Sequence, residues 1–142
     1  MNRADFQKLS NERIVDVKAL LKAKRWSAAY YLAGYVVECG LKSCILNRLT
    51  SEAELIFEEN NKRFSERCWT HSVEELVKLA GLEGERLSDT NANGDLRRNW
   101  LIVKDWSEKS RYQIVSNAKA KKLYEAITDK TSGVMQWIKA RW

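Results

Sequence analysis

Few residues in this chain have chemistry to offer. His71 is the only histidine among 142 residues, and so the one side chain that ordinarily passes a proton near neutral pH. Glu38 and Lys42 stand four apart in a stretch that is otherwise apolar, which puts them on one face of a helix. A carboxylate in such surroundings is costly unless paired. Lys42, Arg111 and a bound ligand are the candidate partners, and the plainer alternative is an ion pair inside a bundle that fixes helix register. His71 has two readings as well. As a residue just before the capping Ser72 it would hydrogen-bond locally at a helix entrance; as a chemical group it would approach the region of Arg111.

A second set joins cations to aromatic rings. Trp100, Trp106 and Tyr112 lie among Arg97, Arg98, Lys104, Lys109 and Arg111. Such interleaving can stack bases and hold phosphates, or it can be packing under snorkelling stems; the tryptophans favour packing. Lys119, Lys121 and Lys122 read as an exposed basic face near a helix N-terminus, where an anion is welcome. Trp26, Tyr30 and Tyr31 read as core or interface.

The charge distribution agrees with a polyanion partner. The net charge is +6, but residues 97–142 hold 11 Lys+Arg against 4 Asp+Glu while residues 1–96 hold 14 against 15. The whole excess sits in the last third, which suits a polyanion or an acidic protein, or simply a solvated basic face. The three cysteines, Cys39, Cys44 and Cys68, are odd in number and form no CxxC. A full disulfide set and a zinc site are therefore not expected, and Cys39 and Cys44 read as core. No apolar run reaches a membrane span and no cleavable signal is visible, so a cytoplasmic protein without membrane, metal or cofactor is expected. There is no Gly-rich phosphate loop and no Cys–His motif of recognisable context.

The elements that must position these groups are helices. Proline is absent and glycine numbers 6, too few breakers for a β-rich fold. A first helix is expected over residues 3–24, with Phe6, Leu9, Val17, Leu20 and Leu21 as its stripe. A second, over 26–49, carries Ala29, Ala33, Val36, Val37, Gly40, Leu41, Cys44 and Ile45 at steps of three and four. Its small residues Ala28, Ala29, Ala33, Gly34 and Gly40 invite close helix approach, and it should be central. A short acidic helix is expected over 52–60. Ser72 and Glu75 form a capping box for a helix through Ala80, with Gly81 as the stop. Residues 83–99 read as mostly exposed loop, with a helical segment over 96–106. Ser116 or Asn117 caps one long last helix running towards Arg141, striped by Ala120, Leu123, Ile127, Val134 and Ile138 and loosened by Gly133. One domain over 1–142 follows, an all-α antiparallel up-and-down bundle of four to five helices.

Within this frame, WSAAYYLAGYVVECGLKSCI (26–45) resembles the second helix of HEPN-domain proteins, which often read A-x-Y-x-A-G-x-x-x-E-x-x-x-K. HSVEELVKLAGL (71–82), WLIVKDWSEKSRY (100–112) and GVMQWIKARW (133–142) are similar to later family segments, in the family's order. The resemblance implies a helical bundle, commonly a homodimer. It implies either a metal-independent endoribonuclease with an R-x(4–6)-H motif or an inactive nucleotide- or RNA-binding module. It further implies a toxin–antitoxin-like pairing with a nucleotidyltransferase partner, and polar site groups at Glu38 and Lys42. Here Arg111 is the motif arginine, followed by Tyr112, and the expected histidine position holds Asn117. Metal-free RNA cleavage needs a base for the 2′-hydroxyl proton and help for the leaving oxygen. Arg111 could clamp phosphate and offset developing charge, but an amide such as Asn117 does not titrate.

The expectation is therefore a non-catalytic module that binds nucleotide or RNA, or a nucleotidyltransferase, through Glu38, Lys42, Arg111, Tyr112, Asn117, Lys119, Lys121 and Lys122. The alternatives are a toxin-like endoribonuclease using Arg111 with His71 as an atypical base, and a structural dimerisation subunit.

Overall fold

A computed structural model describes the chain apart from residues 52–60. The short acidic helix expected over 52–60 lies outside the described residues. The rest is all-helical: α1 (Arg3–Lys22), α2 (Trp26–Ser51), α3 (Asn61–Arg67), α4 (Val73–Leu79), α5 (Glu83–Ala92), α6 (Gly94–Lys104), a 3-10 turn (Glu108–Tyr112), α7 (Asn117–Thr128) and α8 (Val134–Lys139). No helix among the described residues is long and apolar enough to cross a membrane.

Local signals set the ends of α1. The Asn2 side chain accepts from the Asp5 N–H at 2.9 Å while the Asn2 N–H donates to the Asp5 carboxylate at 2.8 Å, a reciprocal cap. At the other end Lys24 sits at φ 60, so that the Arg25 N–H reaches back to the Leu20 carbonyl at 2.9 Å. That left-handed turn lets α2 double back against α1.

Helix α2 is the centre of the molecule, packed against α1, α4, α7, α8 and the 3-10 turn. Val37 and Leu41 are fully buried, each contributing about 1.5–3 kcal/mol of apolar burial. The Ser10 hydroxyl ties α1 to it by donating to the Val36 carbonyl at 2.8 Å. Its small residues are seats for large partners. A Cβ on Gly34 would collide with the Trp106 indole, and one on Gly40 would crowd Ile138 and Met135. Ala28, expected among these seats, is exposed.

Helix α4 is opened by the Ser72 hydroxyl, which accepts from the Glu75 N–H at 3.3 Å. The box is half formed, because the Glu75 carboxylate turns to Arg67 and the Ser72 N–H donates to the Thr70 hydroxyl. Gly81, at φ +72, stops the helix as expected, with the Leu82 N–H on the Val77 carbonyl at 3.0 Å.

Two expectations fail here. Residues 83–99 are not mostly loop: they form α5 and most of α6. Asn93 marks the junction, its side-chain oxygen accepting from the Asp95 and Leu96 N–H groups at 3.1 Å, so the turn-forming residues cap helices instead of replacing them. Helix α5 buries no residue and is held by charge, which no apolar stripe announces. The single C-terminal helix is likewise two. The Asp129 carboxylate accepts from the Ser132 N–H at 2.7 Å, and Gly133 follows at φ −66, ψ 145, where a Cβ would run into the Asp129 backbone. The apolar step from Ile127 to Val134 spans that break. Together with α3, these divisions make eight α-helices among the described residues, where a bundle of four to five was expected.

Candidate functional site

One end of the site is built around Glu38, a carboxylate only 4% exposed in the middle of α2. Its Oε1 accepts from Lys42 Nζ at 2.8 Å, one turn on. Its Oε2 accepts from His71 Nδ1 at 2.9 Å. The partner His71 was not foreseen as one for Glu38, and its bond crosses from the entrance of α4 to α2; the local hydrogen bond expected of it gives way to this one. Both carboxylate oxygens are thus satisfied by groups that carry, or can carry, positive charge, which is how a buried carboxylate is kept in place.

Because a carboxylate only accepts, Nδ1 of His71 holds the proton. Nε2 is left without a hydrogen-bond partner among the described residues, on a side chain 43% exposed. This is the oriented imidazole that proton transfer requires.

From His71 the site continues along aromatic rings. Tyr35 meets the imidazole edge-to-face at 5.9 Å and Tyr31 at 5.3 Å; the two phenol oxygens stand 3.2 Å apart. Burial, then the hydrogen bond with Tyr31, pushes the Tyr35 phenol up, so it stays a neutral donor. Behind them Trp106 packs on Tyr35 at 5.2 Å and donates from Nε1 to the Tyr31 carbonyl at 3.2 Å. The Gly34 seat holds this wall upright.

Arg111 lies at the far end, on the 3-10 turn. Its guanidinium stacks 4.9 Å from the Tyr112 ring centroid, and the Tyr112 and Tyr31 phenols beside it push its pKa up. It also acts on the Tyr35 phenol. Arg111 has no bond to Glu38, so the expected contact between them is replaced by a line of rings. Arg111 pairs with no carboxylate among the described residues, and Tyr112 beside it is 81% exposed.

A second stripe at the start of α2, Trp26 and Tyr30, also carries cations. Lys119 Nζ stands over Tyr30 at 5.1 Å and Lys121 Nζ over Trp26 at 5.4 Å. Lys122 is exposed, as is Asn117 at the first position of α7. No side-chain contact joins Asn117 to Arg111 or to Glu38 among the described residues. The cap of α7 is Ser116, whose hydroxyl accepts from the Lys119 N–H at 3.2 Å. The loop before α7 is pinned by the Val115 N–H on the Ser27 hydroxyl at 2.9 Å.

Trp100 and Trp106 are both 4% exposed, so they serve packing. The cysteines are poor nucleophiles: burial pushes the Cys39 thiol up to about 11 and the Cys44 thiol up to about 12. No group of three His, Cys, Asp or Glu side chains among the described residues is placed to hold a metal ion. Sequence reasoning missed Tyr35, which bridges the two ends. The Tyr31-x-x-x-Tyr35 spacing, one helical turn, was the available signal for it. Comparison with protein-family models, with curated proteins and with solved structures finds no match to this chain.

Proposed function

We propose that this chain is a HEPN-type helical module that binds RNA or a nucleotide on the face formed by the start of α2, the 3-10 turn and α7. One observation carries the reading. Arg111, Lys119 and Lys121 each lie over an aromatic ring, at 4.9, 5.1 and 5.4 Å, and none of them is neutralised by a carboxylate among the described residues. Cations held in place by rings but left uncompensated suit a row of phosphates. Three phosphate contacts predict a slope of roughly −2 for log affinity against log salt on a single strand. Fluorescence anisotropy of labelled RNA at several salt concentrations tests this. Charge reversal by Lys119→Glu with Lys121→Glu should abolish most binding and flatten the slope. Salt-independent binding, or none, overturns the reading.

The His71–Glu38 bond favours a second reading, a metal-independent endoribonuclease. Nε2 of His71 would take the 2′-hydroxyl proton, O2′ would attack phosphorus, and the bond to the 5′-oxygen would break. The leaving oxygen takes a proton from solvent and His71 returns its own, giving a 2′,3′-cyclic phosphate and a 5′-hydroxyl. Arg111 would offset the charge on the phosphoryl oxygens. Cleavage in chelator by the wild type, lost in His71→Ala and in Arg111→Ala, would replace the binding-only reading with this one. Intact RNA after long incubation would remove it.

A further inference from the structure

Trp69 makes no hydrogen bond or ring contact with the site residues among the described residues, and it is 79% exposed. It sits two residues before His71, within about 7 Å along the chain. Its other neighbour, Cys68, is close enough to Lys42 to feel its charge. An exposed ring is therefore carried by the chain segment that leads directly into His71 at the Glu38–Lys42 end. At the opposite end Tyr112 is 81% exposed, with Arg111 stacked on it at 4.9 Å. Between these two rings run His71, Tyr35 and Tyr31, with ring centroids 5.9 and 5.3 Å apart. The line thus ends at one side in the exposed Tyr112 ring and at the other in His71, two residues from the exposed Trp69, with polar hydrogen-bonding groups and a cation without a carboxylate partner between them.

We infer that this face takes single-stranded RNA, with one base stacked on Trp69 and another on Tyr112 while the backbone crosses the His71–Tyr35–Tyr31–Arg111 line. The inference rests on the RNA-binding reading and narrows it. Every base offers a π-face to an exposed ring only when it is not already stacked and paired, so a duplex leaves both rings idle. Arg111 supplies the charge that selects a polyanion over an apolar protein segment, and its stacking holds the Tyr112 ring in orientation. A mononucleotide could use one ring but not both.

The test compares one fluorescein-labelled RNA strand, the same strand annealed to its complement, and AMP as competitor. The single strand should bind at least tenfold more tightly than the duplex, and AMP should compete only weakly. Trp69→Ala and Tyr112→Ala should each weaken single-strand binding by about tenfold, and Trp69→Phe should recover most of the loss. The slope of log affinity against log salt should stay at the wild-type value in these variants, because no cation is removed. Equal binding of strand and duplex, competition by AMP at the affinity of the strand, or wild-type affinity in both alanine variants overturns the inference while leaving salt-dependent binding intact. Absence of salt-dependent binding to any of the RNAs overturns the binding reading itself. Both substituted residues are exposed, and an unchanged melting midpoint shows that the fold is retained.

Discussion

Two regions of this molecule are made of the same materials, and they differ in what their cations are paired with. Near the C-terminus, Trp100 and Trp137 meet edge-to-face at 5.6 Å, with Arg86 over the first and Arg141 over the second at 5.1 and 3.9 Å. Each of these arginines also has its carboxylates. Arg86 grips Glu74 with two bonds of 2.7 and 2.8 Å, and Arg141 reaches Glu85 at 2.9 Å and Asp89 at 3.0 Å. The Trp137 indole donates to Asp89 at 2.8 Å. Around α2 the cations Arg111, Lys119 and Lys121 also lie over rings, but no carboxylate answers them among the described residues. The first region is internally neutralised and clamps α5, α6 and α8 together; in the second the charge has no carboxylate partner among the described residues, and it is this charge that the proposed RNA would meet. A cation over a ring is thus no sign of function by itself. What distinguishes the two is whether the charge is already compensated.

The comparison can be broken from the clamp side first. Trp137→Ala removes a side chain 7% exposed, together with its indole bond to Asp89, and should cost about 3–5 kcal/mol in urea unfolding. RNA affinity per folded molecule should not change. A loss below 1 kcal/mol would mean that the clamp is ornamental.

Glu38 lies at the boundary between the two kinds of region, compensated yet half open through His71. Glu38→Ala leaves Lys42, whose side chain is 14% exposed, without its partner and should cost about 3 kcal/mol. Replacing both residues by methionine should recover much of that, since a well-packed apolar pair avoids the desolvation of two charges. If the single and double variants are equally unstable in thermal melts, the cost comes from packing and not from charge.

Arg86→Met tests the clamp through pH. Hydrogen bonding from Arg86 holds the Glu74 carboxyl below its ordinary range. A depressed carboxyl contributes stability that is full above its unfolded value and fades as pH falls through the folded one. Because the Glu74 side chain is 33% exposed, solvent screening limits the contribution to about 1–2 kcal/mol. The variant should therefore be less stable than the wild type at pH 7, with the gap closing at pH values below the ordinary glutamate range. Urea midpoints across that range decide it, and a constant gap would locate the effect in the Trp100 contact instead.

The smallest stability effect should come from the open region. Arg111→Ala removes an exposed residue without a carboxylate, so the melting midpoint should move by less than about 0.5 kcal/mol equivalent. Its salt slope for RNA binding should nevertheless flatten by about 0.7, one phosphate contact. A large destabilisation would show that Arg111 belongs to the architecture.

Much of the helical plan could be read in advance, because it is written in short-range chemistry. The caps at Ser72 and Ser116, the stop at Gly81 and the stripe of α2 depend on residues a turn or two apart. Helix α5 escaped notice because what holds it, Arg141 on Glu85 and Asp89 and Arg86 on Glu74, comes from elsewhere in the chain. The division of the C-terminal helix was hidden because residues on either side of the break keep facing the same core. The pairing of Glu38 with Lys42 was legible from a spacing of four. Its bond to His71, thirty-three residues away, was not.

By itself, then, the sequence determined an all-helical chain with a basic last third and a buried carboxylate in need of partners, since these follow from composition, breakers and periodicity. Only the tertiary structure decided that His71 answers that carboxylate, that Tyr35 and Tyr31 link it to Arg111, and that one set of cations is neutralised while the other is not. The reason is physical: compensation of charge and exposure of rings are properties of neighbours in space, and neighbours on different helices leave no periodicity behind.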